Sequence, residues 1–294
     1  MTVPLSNEPA SVLHWTDIDW DPFIKNCLVD DIRVRYVDYG AGPPLVLLHG
    51  MAASWQWWLE NIPKLAQRHR IIAVDLPGFG NSERLPSPAE MSTHARTVID
   101  LLGQADVRSA TVVGHSMGGL VALEMAIADR QLVRDLVLVG AGGVPMTERR
   151  LAIILVVLRL FCLILGLRFV RHALATKPWL RRIVLRGGLR DPGAVSPRLA
   201  AEIMPIFNGP GFVDAVAAAG RAVRRTVPES ITCPVLLVWG EHDMMAPLRC
   251  AQDMHRRLPN SELVVIHGAG HTPMIEDPAR FNDAILSFTL ARRA

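Results

Sequence analysis

The sequence alternates short, continuous apolar runs with segments of helical spacing. Continuous apolar runs of this length are typical of strands that are buried on both faces, and their alternation with helices predicts a mostly parallel sheet covered by helices on both sides. Residues 25–31 and 32–40 add a predicted antiparallel hairpin that turns near Asp30 and Asp31. The apolar runs are residues 44–50, 70–78, 110–116, 134–143, 234–240 and 261–270.

Helical spacing occupies the stretches between these strands. The segment SWQWWLENIPKLAQR, residues 54–68, begins at Ser54, and serine is a preferred residue at helix N-termini. A second predicted helix ends on Gly103, which is typical of a helix C-terminus. The predicted helices after the first are residues 88–103, 118–129, 248–258 and 278–292.

The series of strands is interrupted once, between Gly143 and Ser230. This window has no run typical of a buried strand, and its apolar segments have helical spacing and are separated by proline and glycine. We therefore predict a single helical insertion that covers residues 144–228.

Composition excludes several classes of protein. Half of the 294 residues are hydrophobic, and the formal net charge is only +3, so neither disorder nor nucleic-acid binding is indicated. The cysteines show no zinc-binding spacing and no pairing pattern, which favours free thiols in a reducing compartment. The first 15 residues resemble no secretory signal, so we expect a cytoplasmic protein. The cysteines are Cys27, Cys162, Cys233 and Cys250.

A candidate nucleophile lies at the end of the strand at residues 110–116. The sequence Gly-His-Ser-Met-Gly, residues 114–118, follows this strand and precedes a predicted helix. A G-x-S-x-G motif in this context places its serine on a tight turn with the hydroxyl exposed. The N-terminus of the following helix favours negative charge that develops beside it. Ser116 is therefore predicted to be a catalytic nucleophile rather than an incidental turn residue.

Residues after two later strands could activate this serine. A serine hydroxyl needs a general base, and His271 follows the strand at residues 261–270; we expect nearby His267 to be structural. The base in turn needs a carboxylate that holds its tautomer. Glu241 and Asp243 both follow the strand at residues 234–240, so the motif alone leaves two candidates.

An acyl-transfer site also needs backbone N–H groups that bind the oxyanion. The N–H of Met117, one residue after the nucleophile, is predicted to supply one. The loop His49-Gly50-Met51 after the first parallel strand is predicted to supply the other through Met51. This chemistry needs no cofactor or metal, and the sequence contains no motif for either.

Together these motifs resemble the α/β-hydrolase superfamily. The resemblance runs from about Phe23 to the C-terminus and is carried, in order, by LLHGMAAS, VDLPGFGNS, GHSMGG, LVWGEHDMMAP and GAGHTPMIEDP. It implies the order Ser116, Asp243, His271 for the catalytic residues, and so favours Asp243 over Glu241. Serine at 116 argues against the branches that use an aspartate nucleophile. Asp75 and Gly78 are expected to form a structural turn.

The resemblance implies a mostly parallel eight-stranded sheet flanked by helices, with a helical cap inserted between strands six and seven. The expected core comprises residues 23–143 and 229–294, the cap residues 144–228, and an N-terminal extension residues 1–22. The implied activity is hydrolysis of an ester with an apolar acyl group. Alternatives are C–C bond hydrolysis of ring-cleavage products, cofactor-free haloperoxidase or perhydrolase activity, and a non-catalytic receptor-like binding protein. Neither the substrate nor the oligomeric state follows from these motifs.

The insertion contains the stretch LAIILVVLRLFCLILGL, residues 151–167, whose only charge is Arg159. As a helix it would be about 26 Å long, a little short of a membrane span. A single pass would also put strands of one sheet on opposite sides of the membrane, so we exclude it. A buried cap helix that lines an apolar pocket is the leading interpretation.

An alternative that is compatible with this one is peripheral contact of the cap with an anionic membrane surface. Between Arg149 and Arg190 the sequence has nine arginines, one lysine and no acidic residue, with Phe169 and Trp179 among them. Basic and aromatic residues beside apolar segments are typical of helices that lie at a membrane interface.

Overall fold

The computed structural model describes most of the chain. The described residues are 13–86, 89–141, 167, 169–170, 173, 176–205, 211–225 and 230–292. The apolar stretch at 151–167 lies outside them apart from Leu167, so both interpretations of that stretch stay predictions.

Eight strands form one sheet in the order β1-β2-β4-β3-β5-β6-β7-β8. The hairpin β1–β2 and the pair β2–β4 are antiparallel, and every other neighbouring pair is parallel. The predicted mostly parallel, eight-stranded sheet is confirmed. The strands are β1 (Ile24–Val29), β2 (Ile32–Tyr39), β3 (Pro44–Leu48), β4 (Arg70–Val74), β5 (Ala110–His115), β6 (Val133–Val139), β7 (Val235–Gly240) and β8 (Ser261–Ile266).

Helices cover both faces of this sheet, as expected. They are α1 (Ile62–Leu65), α2 (Met91–Gln104), α3 (Met117–Ala128), α4 (Pro178–Leu185), α5 (Pro197–Ile203), α6 (Phe212–Arg225), α7 (Leu248–Arg257), α8 (Pro273–Glu276) and α9 (Pro278–Leu290).

Burial on both faces explains why the central strands read as continuous apolar runs. Successive side chains of a strand point to opposite faces. In β3, Val46 and Leu48 therefore pack into the cluster on one side of the sheet, and Leu45 and Leu47 pack into the cluster on the other. All four are fully buried. Burying a side chain of this kind contributes about 1.5–3 kcal/mol, so the two clusters fix the order and register of the central strands.

The helix predicted at residues 54–68 is wrong in its extent. The segment forms a short 3-10 helix, Trp55–Trp58, and then α1. Pro63 has no N–H and is tolerated only in the first turn of a helix, so a new helix starts at Ile62. The Ser54 side chain caps neither element; the Asp75 carboxylate accepts the Trp55 N–H instead, at 2.8 Å.

The predicted end of the second helix at Gly103 is also wrong, by a small margin. Helix α2 continues through Gly103 to Gln104, and the chain turns afterwards at Asp106, which has a positive φ of 56°. The left-handed turn residue after this helix is therefore an aspartate and not the glycine that the sequence offered.

The chain leaves the sheet after β6 and returns at β7, and we call residues 140–234 the β6–β7 segment. Its described part contains helices α4, α5 and α6 and no strand. Helix α6 is joined to the core by ion pairs between Arg84 and Asp214 and between Arg221 and Glu90. Within the described part of the chain, no helix combines the length and the apolar character that crossing a membrane requires.

Candidate functional site

Ser116 occupies a strained turn between β5 and α3. It is the N-cap of α3 and has φ 51° and ψ −113°, a conformation that costs a non-glycine residue about 1–3 kcal/mol. Three backbone hydrogen bonds hold it there. Its N–H donates to the Val139 carbonyl on β6, and its carbonyl accepts from the N–H groups of Gly119 and Leu120. The half-buried side chain therefore stands at the carboxyl edge of the sheet.

The turn is tight enough to require glycine on either side of Ser116. A Cβ at Gly114 would overlap the Gly118 carbonyl, and a Cβ at Gly118 would overlap the carbonyls of Leu48 and His49. Strand β5, helix α3 and the end of β3 thus meet at backbone contact distance. This packing explains why the motif has glycine at both of these positions.

His271 and Asp243 form a buried pair. His271 Nδ1 lies 2.8 Å from Asp243 Oδ2, and both side chains are almost fully buried. Asp243 Oδ1 accepts the backbone N–H groups of Met245 and Ala246, which fixes the carboxylate. His271 Nδ1 therefore donates to Asp243, and Nε2 is left as the acceptor. Nε2 makes no hydrogen bond to another described residue, Ser116 included.

Glu241, the other carboxylate candidate, points away from this pair. Its side chain is exposed and accepts the Gly268 N–H at 3.2 Å. His242 and His267 are its nearest basic neighbours. The Gly268 N–H and these histidines hold the pKa of the Glu241 carboxyl below its usual value. The geometry thus places Asp243, and not Glu241, beside His271, and it places His267 on the surface.

Gly140 makes room for the His271–Asp243 pair. It follows β6 with a positive φ of 51°, and a Cβ at this position would lie 3.1 Å from His271 Nδ1 and 3.2 Å from Asp243 Oδ2. Both the backbone conformation and the space therefore favour glycine.

His115, the residue before Ser116, packs against His271 and bonds to its backbone. Its Nε2 lies 2.9 Å from the His271 carbonyl, and the two rings are 4.9 Å apart. Burial, and then the neighbouring His271, lower the pKa of His115 well below its ordinary value, so the ring is neutral and donates through Nε2. Sequence reasoning missed this role, although His115 lies inside the G-x-S-x-G motif.

His49, at the end of β3, shapes the loop that carries Met51. His49 Nδ1 donates to the Gly50 carbonyl at 2.7 Å, and Nε2 accepts the Leu76 N–H at 2.9 Å. Burial lowers the pKa of His49 to about 4, which matches a neutral ring in these contacts. The next residue after Met51, Ala52, has a positive φ of 59°, so the loop turns sharply at this point.

The two backbone N–H groups predicted for an oxyanion come from Met117 and Met51. Met117 is the first residue of α3, so its N–H has no partner within the helix. Neither N–H donates to the backbone of another described residue. A Cβ at Gly50 would lie 3.3 Å from Ser116 Cβ, which places the loop of Met51 directly beside Ser116.

Asp75 belongs to the scaffold behind this loop. Its side chain is fully buried and accepts the backbone N–H groups of Trp55 and Asn81. Burial raises the pKa of Asp75 to about 6. These contacts agree with the structural turn expected from the sequence.

Glu276, on α8, connects the His271 loop with the β6–β7 segment. Its Oε1 accepts the N–H groups of Gly270 and Thr272, and its Oε2 accepts those of Arg190 and Asp191, at distances of 2.8–3.4 Å. Nearby, the His271 N–H donates directly to a carbonyl of the β6–β7 segment, that of Gly188, at 3.0 Å. Sequence reasoning missed Glu276 altogether.

A small cavity opens beside His271. It has a volume of about 60 Å³ and is lined by residues 186–190 on one side and by His242, Met244 and Gly270 on the other; Ser116 does not line it. The β6–β7 segment thus forms one wall of the space next to His271. In the described part of the chain, no group of three or more His, Cys, Asp or Glu side chains has a metal-binding arrangement.

Comparisons with known proteins agree with this architecture. Residues 45–284 match the model of the alpha/beta hydrolase family. An uncharacterized protein of Mycobacterium tuberculosis is 33% identical over 284 residues, which cover 91% of this chain and 81% of that protein.

Two further similar proteins have named activities. The 2-hydroxymuconate semialdehyde hydrolase of a Pseudomonas strain is 31% identical over 278 residues, which cover 90% of this chain and 93% of that enzyme. Among solved structures, a thermophilic esterase from Thermogutta terrifontis is 25% identical with a TM-score of 0.73, covering 91% of this chain and 98% of that one.

Proposed function

Because the chain belongs to the alpha/beta hydrolase family, we propose that it is a serine hydrolase that cleaves a carboxylic ester with an apolar acyl group. The observation that carries the proposal is the 2.8 Å contact between His271 Nδ1 and Asp243 Oδ2. This contact leaves His271 Nε2, which has no partner among the described residues, as the acceptor for a proton from Ser116.

In the proposed reaction, Ser116 Oγ attacks the ester carbonyl while His271 Nε2 removes the hydroxyl proton. Asp243 stabilises the imidazolium that forms. The C–O bond to the alcohol breaks, His271 returns the proton to the leaving oxygen, and an acyl-Ser116 ester remains. Water then attacks this ester with His271 again as the base, and the acid is released. The roles of catalytic base, nucleophile and orienting carboxylate thus fall on His271, Ser116 and Asp243.

The proposed oxyanion donors are the backbone N–H groups of Met117 and Met51. The first is supported by its position at the N-terminus of α3, where an unpaired N–H and the helix dipole both favour negative charge. The second is supported by the closeness of the Gly50 backbone to Ser116. Donors of this kind act on the charge that develops only in the transition state, and so they lower the barrier rather than merely bind the substrate.

The preference for an apolar acyl group rests on the surroundings of the site. Leu189 and Met244 line the cavity beside His271, and Met51 is half-buried in the loop beside Ser116. In this proposal residues 144–228 form a cap over a core made of residues 23–143 and 229–294. Support for the cap comes from the helices α4, α5 and α6, which lie in the described part of that span, and from the absence of any strand there.

A second candidate reaction is hydrolysis of a C–C bond in a ring-cleavage product. It is favoured by the 31% identity with 2-hydroxymuconate semialdehyde hydrolase. The same serine, histidine and aspartate could serve this reaction, so the substrate panel must decide between the two.

The test compares the wild type with Ser116→Ala on p-nitrophenyl esters of increasing acyl length and on a vinylogous diketone. We expect ester hydrolysis that rises from acetyl to medium-length chains and falls on the order of 10⁴-fold or more in Ser116→Ala. A fluorophosphonate probe should label the wild type and Ser92→Ala, an exposed-serine control, but not Ser116→Ala. Full activity of Ser116→Ala would refute the mechanism, and turnover of the diketone alone would favour the C–C reaction.

A further inference from the structure

The outer surface of helix α4 carries apolar and basic side chains. The solvent-facing side of an ordinary surface helix is polar. Trp179 and Ile183 are each 63% exposed. The side chains of Arg182 and Arg186 are exposed as well, and Lys177 precedes the helix. We call these five residues the α4 surface.

Helix geometry places the α4 surface opposite the side that packs on the core. At 3.6 residues per turn, positions 179, 182, 183 and 186 project within an arc of about 100°. Leu180 and Val184 project to the other side and pack against a buried cluster, and Leu185 is buried within it. The exposure of Trp179 and Ile183 is therefore not the edge of a buried face; it is a second, outward apolar face.

The chain segment that carries the α4 surface has charges of one sign. From Arg149 to Arg190 the sequence contains no Asp or Glu, and Arg190 is exposed like the three basic residues of the α4 surface. Phe169, ten residues before Trp179, is also exposed, at 71%. A partner that covers this surface must accept apolar side chains and supply negative charge. Aromatic and aliphatic side chains flanked by arginine and lysine are the composition of segments that dock on anionic lipid surfaces.

The α4 surface ends at the space beside His271. Arg186 belongs to the surface and also lines that cavity, and two residues later Gly188 accepts the His271 N–H. A lipid that left a membrane at α4 would therefore meet the wall formed by residues 186–190 first. Resting on the serine hydrolase function proposed above, we propose that the α4 surface docks on anionic membranes, so that the enzyme takes its ester from a lipid layer.

Flotation with vesicles tests the docking separately from hydrolysis. The Ser116→Ala protein is mixed with vesicles of phosphatidylcholine alone or of equal parts phosphatidylcholine and phosphatidylglycerol. We expect it to float with the anionic vesicles and not with the neutral ones, and we expect added salt to reduce the bound fraction because it screens the lysine and arginine charges.

Variants of the α4 surface identify which residues dock. Trp179→Ala/Ile183→Ala and Lys177→Glu/Arg182→Glu should each weaken binding to anionic vesicles at least about tenfold. The matched controls are Leu28→Ala on β1 and Arg108→Glu before β5, both exposed, and they should float like their parent. Each substitution is also made with Ser116 intact, and unchanged hydrolysis of p-nitrophenyl acetate there shows that the variant is folded.

Several results would overturn the proposal: no flotation, equal flotation with neutral vesicles, or α4 variants that float as their parent does. Concentration-dependent self-association that the Trp179→Ala/Ile183→Ala variant abolishes would assign the surface to a second copy of the chain instead. Preferential binding of a single-stranded oligonucleotide over the vesicles would also refute it. Failure of the serine mechanism is distinct, since it would appear as hydrolysis by Ser116→Ala and would leave the flotation result unchanged.

Discussion

Glu276 Oε2 accepts the backbone N–H of Arg190 at 2.8 Å, although the two residues are 86 positions apart in the chain. The other carboxylate oxygen of Glu276 accepts N–H groups on both sides of His271. One side chain therefore holds the middle of the β6–β7 segment, at Arg190 and Asp191, against the loop that carries His271.

These hydrogen bonds predict that Glu276→Gln impairs catalysis, although Glu276 is not proposed to contact the substrate. An amide has only one acceptor oxygen, so either the loop at Gly270 or the segment at Arg190 loses its partner. We expect kcat for ester hydrolysis to fall about ten- to a hundredfold, since small displacements of a catalytic group have effects of that size, with a smaller change in KM. Glu262→Gln, an exposed glutamate on β8, is the control. An effect on KM alone would contradict a role in positioning His271.

The contact between His271 and Asp243 predicts contrasting effects for the two carboxylates after β7. In Asp243→Asn the oxygen would keep the N–H groups of Met245 and Ala246, and the amide nitrogen would then face His271 Nδ1. His271 would be forced into the wrong tautomer, so kcat should fall about 10⁴-fold. Glu241→Gln should retain near-normal activity in the same assay, because Glu241 is exposed and accepts the Gly268 N–H rather than bonding to His271. The reverse order of effects would assign the orienting role to Glu241.

Gly140 and Gly103 together test whether a glycine is required because a Cβ would be too close to its neighbours. In Gly140→Ala the new methyl would press on His271 Nδ1 and Asp243 Oδ2 and would sit at a positive φ, so activity and melting temperature should both fall. Gly103 lies within helix α2 and has open space where a Cβ would be. Gly103→Ala should therefore raise the free energy of unfolding by about 0.5–1 kcal/mol, measured by urea denaturation, and leave activity unchanged. Equal effects of the two changes would refute the packing argument.

Buried ionisable groups predict how stability depends on pH. Burial lowers the pKa of His49 and of His94 to about 4. Between pH 6.5 and 4 the unfolded chain therefore takes up protons that the native state does not, and stability falls as the pH falls, by about 1.4 kcal/mol per pH unit for each histidine. Asp75 acts in the opposite sense. Its pKa is raised to about 6, so its contribution is fully present below pH 3.8 and is lost as the pH rises through 6.

Two substitutions separate these contributions. Because the effects of two histidines exceed the opposite effect of Asp75, the wild type should be less stable to urea at pH 5 than at pH 7. His94→Gln should make this dependence shallower, and Asp75→Asn should make it steeper, because each removes one of the opposing groups. Asp75→Asn should also lower stability at every pH, since its amide nitrogen cannot accept the N–H of Trp55 or Asn81. Unchanged pH slopes in both variants would contradict the assigned pKa shifts.

The central strands, and the positions of Ser116 and His271 at strand ends, could be predicted from the sequence because each depends on local pattern. A run such as β3 is apolar at every position since both its faces are buried, and Ser116 is identified by the glycines that its turn requires. The choice of Asp243 over Glu241 could not be made from spacing. The two residues share one loop, and only the distance to His271 separates them.

Contacts between distant parts of the chain account for what sequence reasoning missed. His115 reaches a carbonyl 156 residues away, and Glu276 reaches N–H groups in another segment; no local spacing reports either contact. The prediction of one long helix at residues 54–68 was wrong for a related reason. Trp55, Trp57 and Trp58 are all buried, so tertiary packing rather than one amphipathic face determines their backbone.

Strands β6 and β7 are paired neighbours, yet residues 140–234 separate them in the chain. Contacts between the two strands set their register, so the length of the intervening chain does not affect that register. Ser116 lies before that span, and Asp243 and His271 lie after it. A gene that encodes a different sequence over most of this span can therefore still encode all three proposed catalytic residues, so substrate recognition can diverge separately from the proposed reaction.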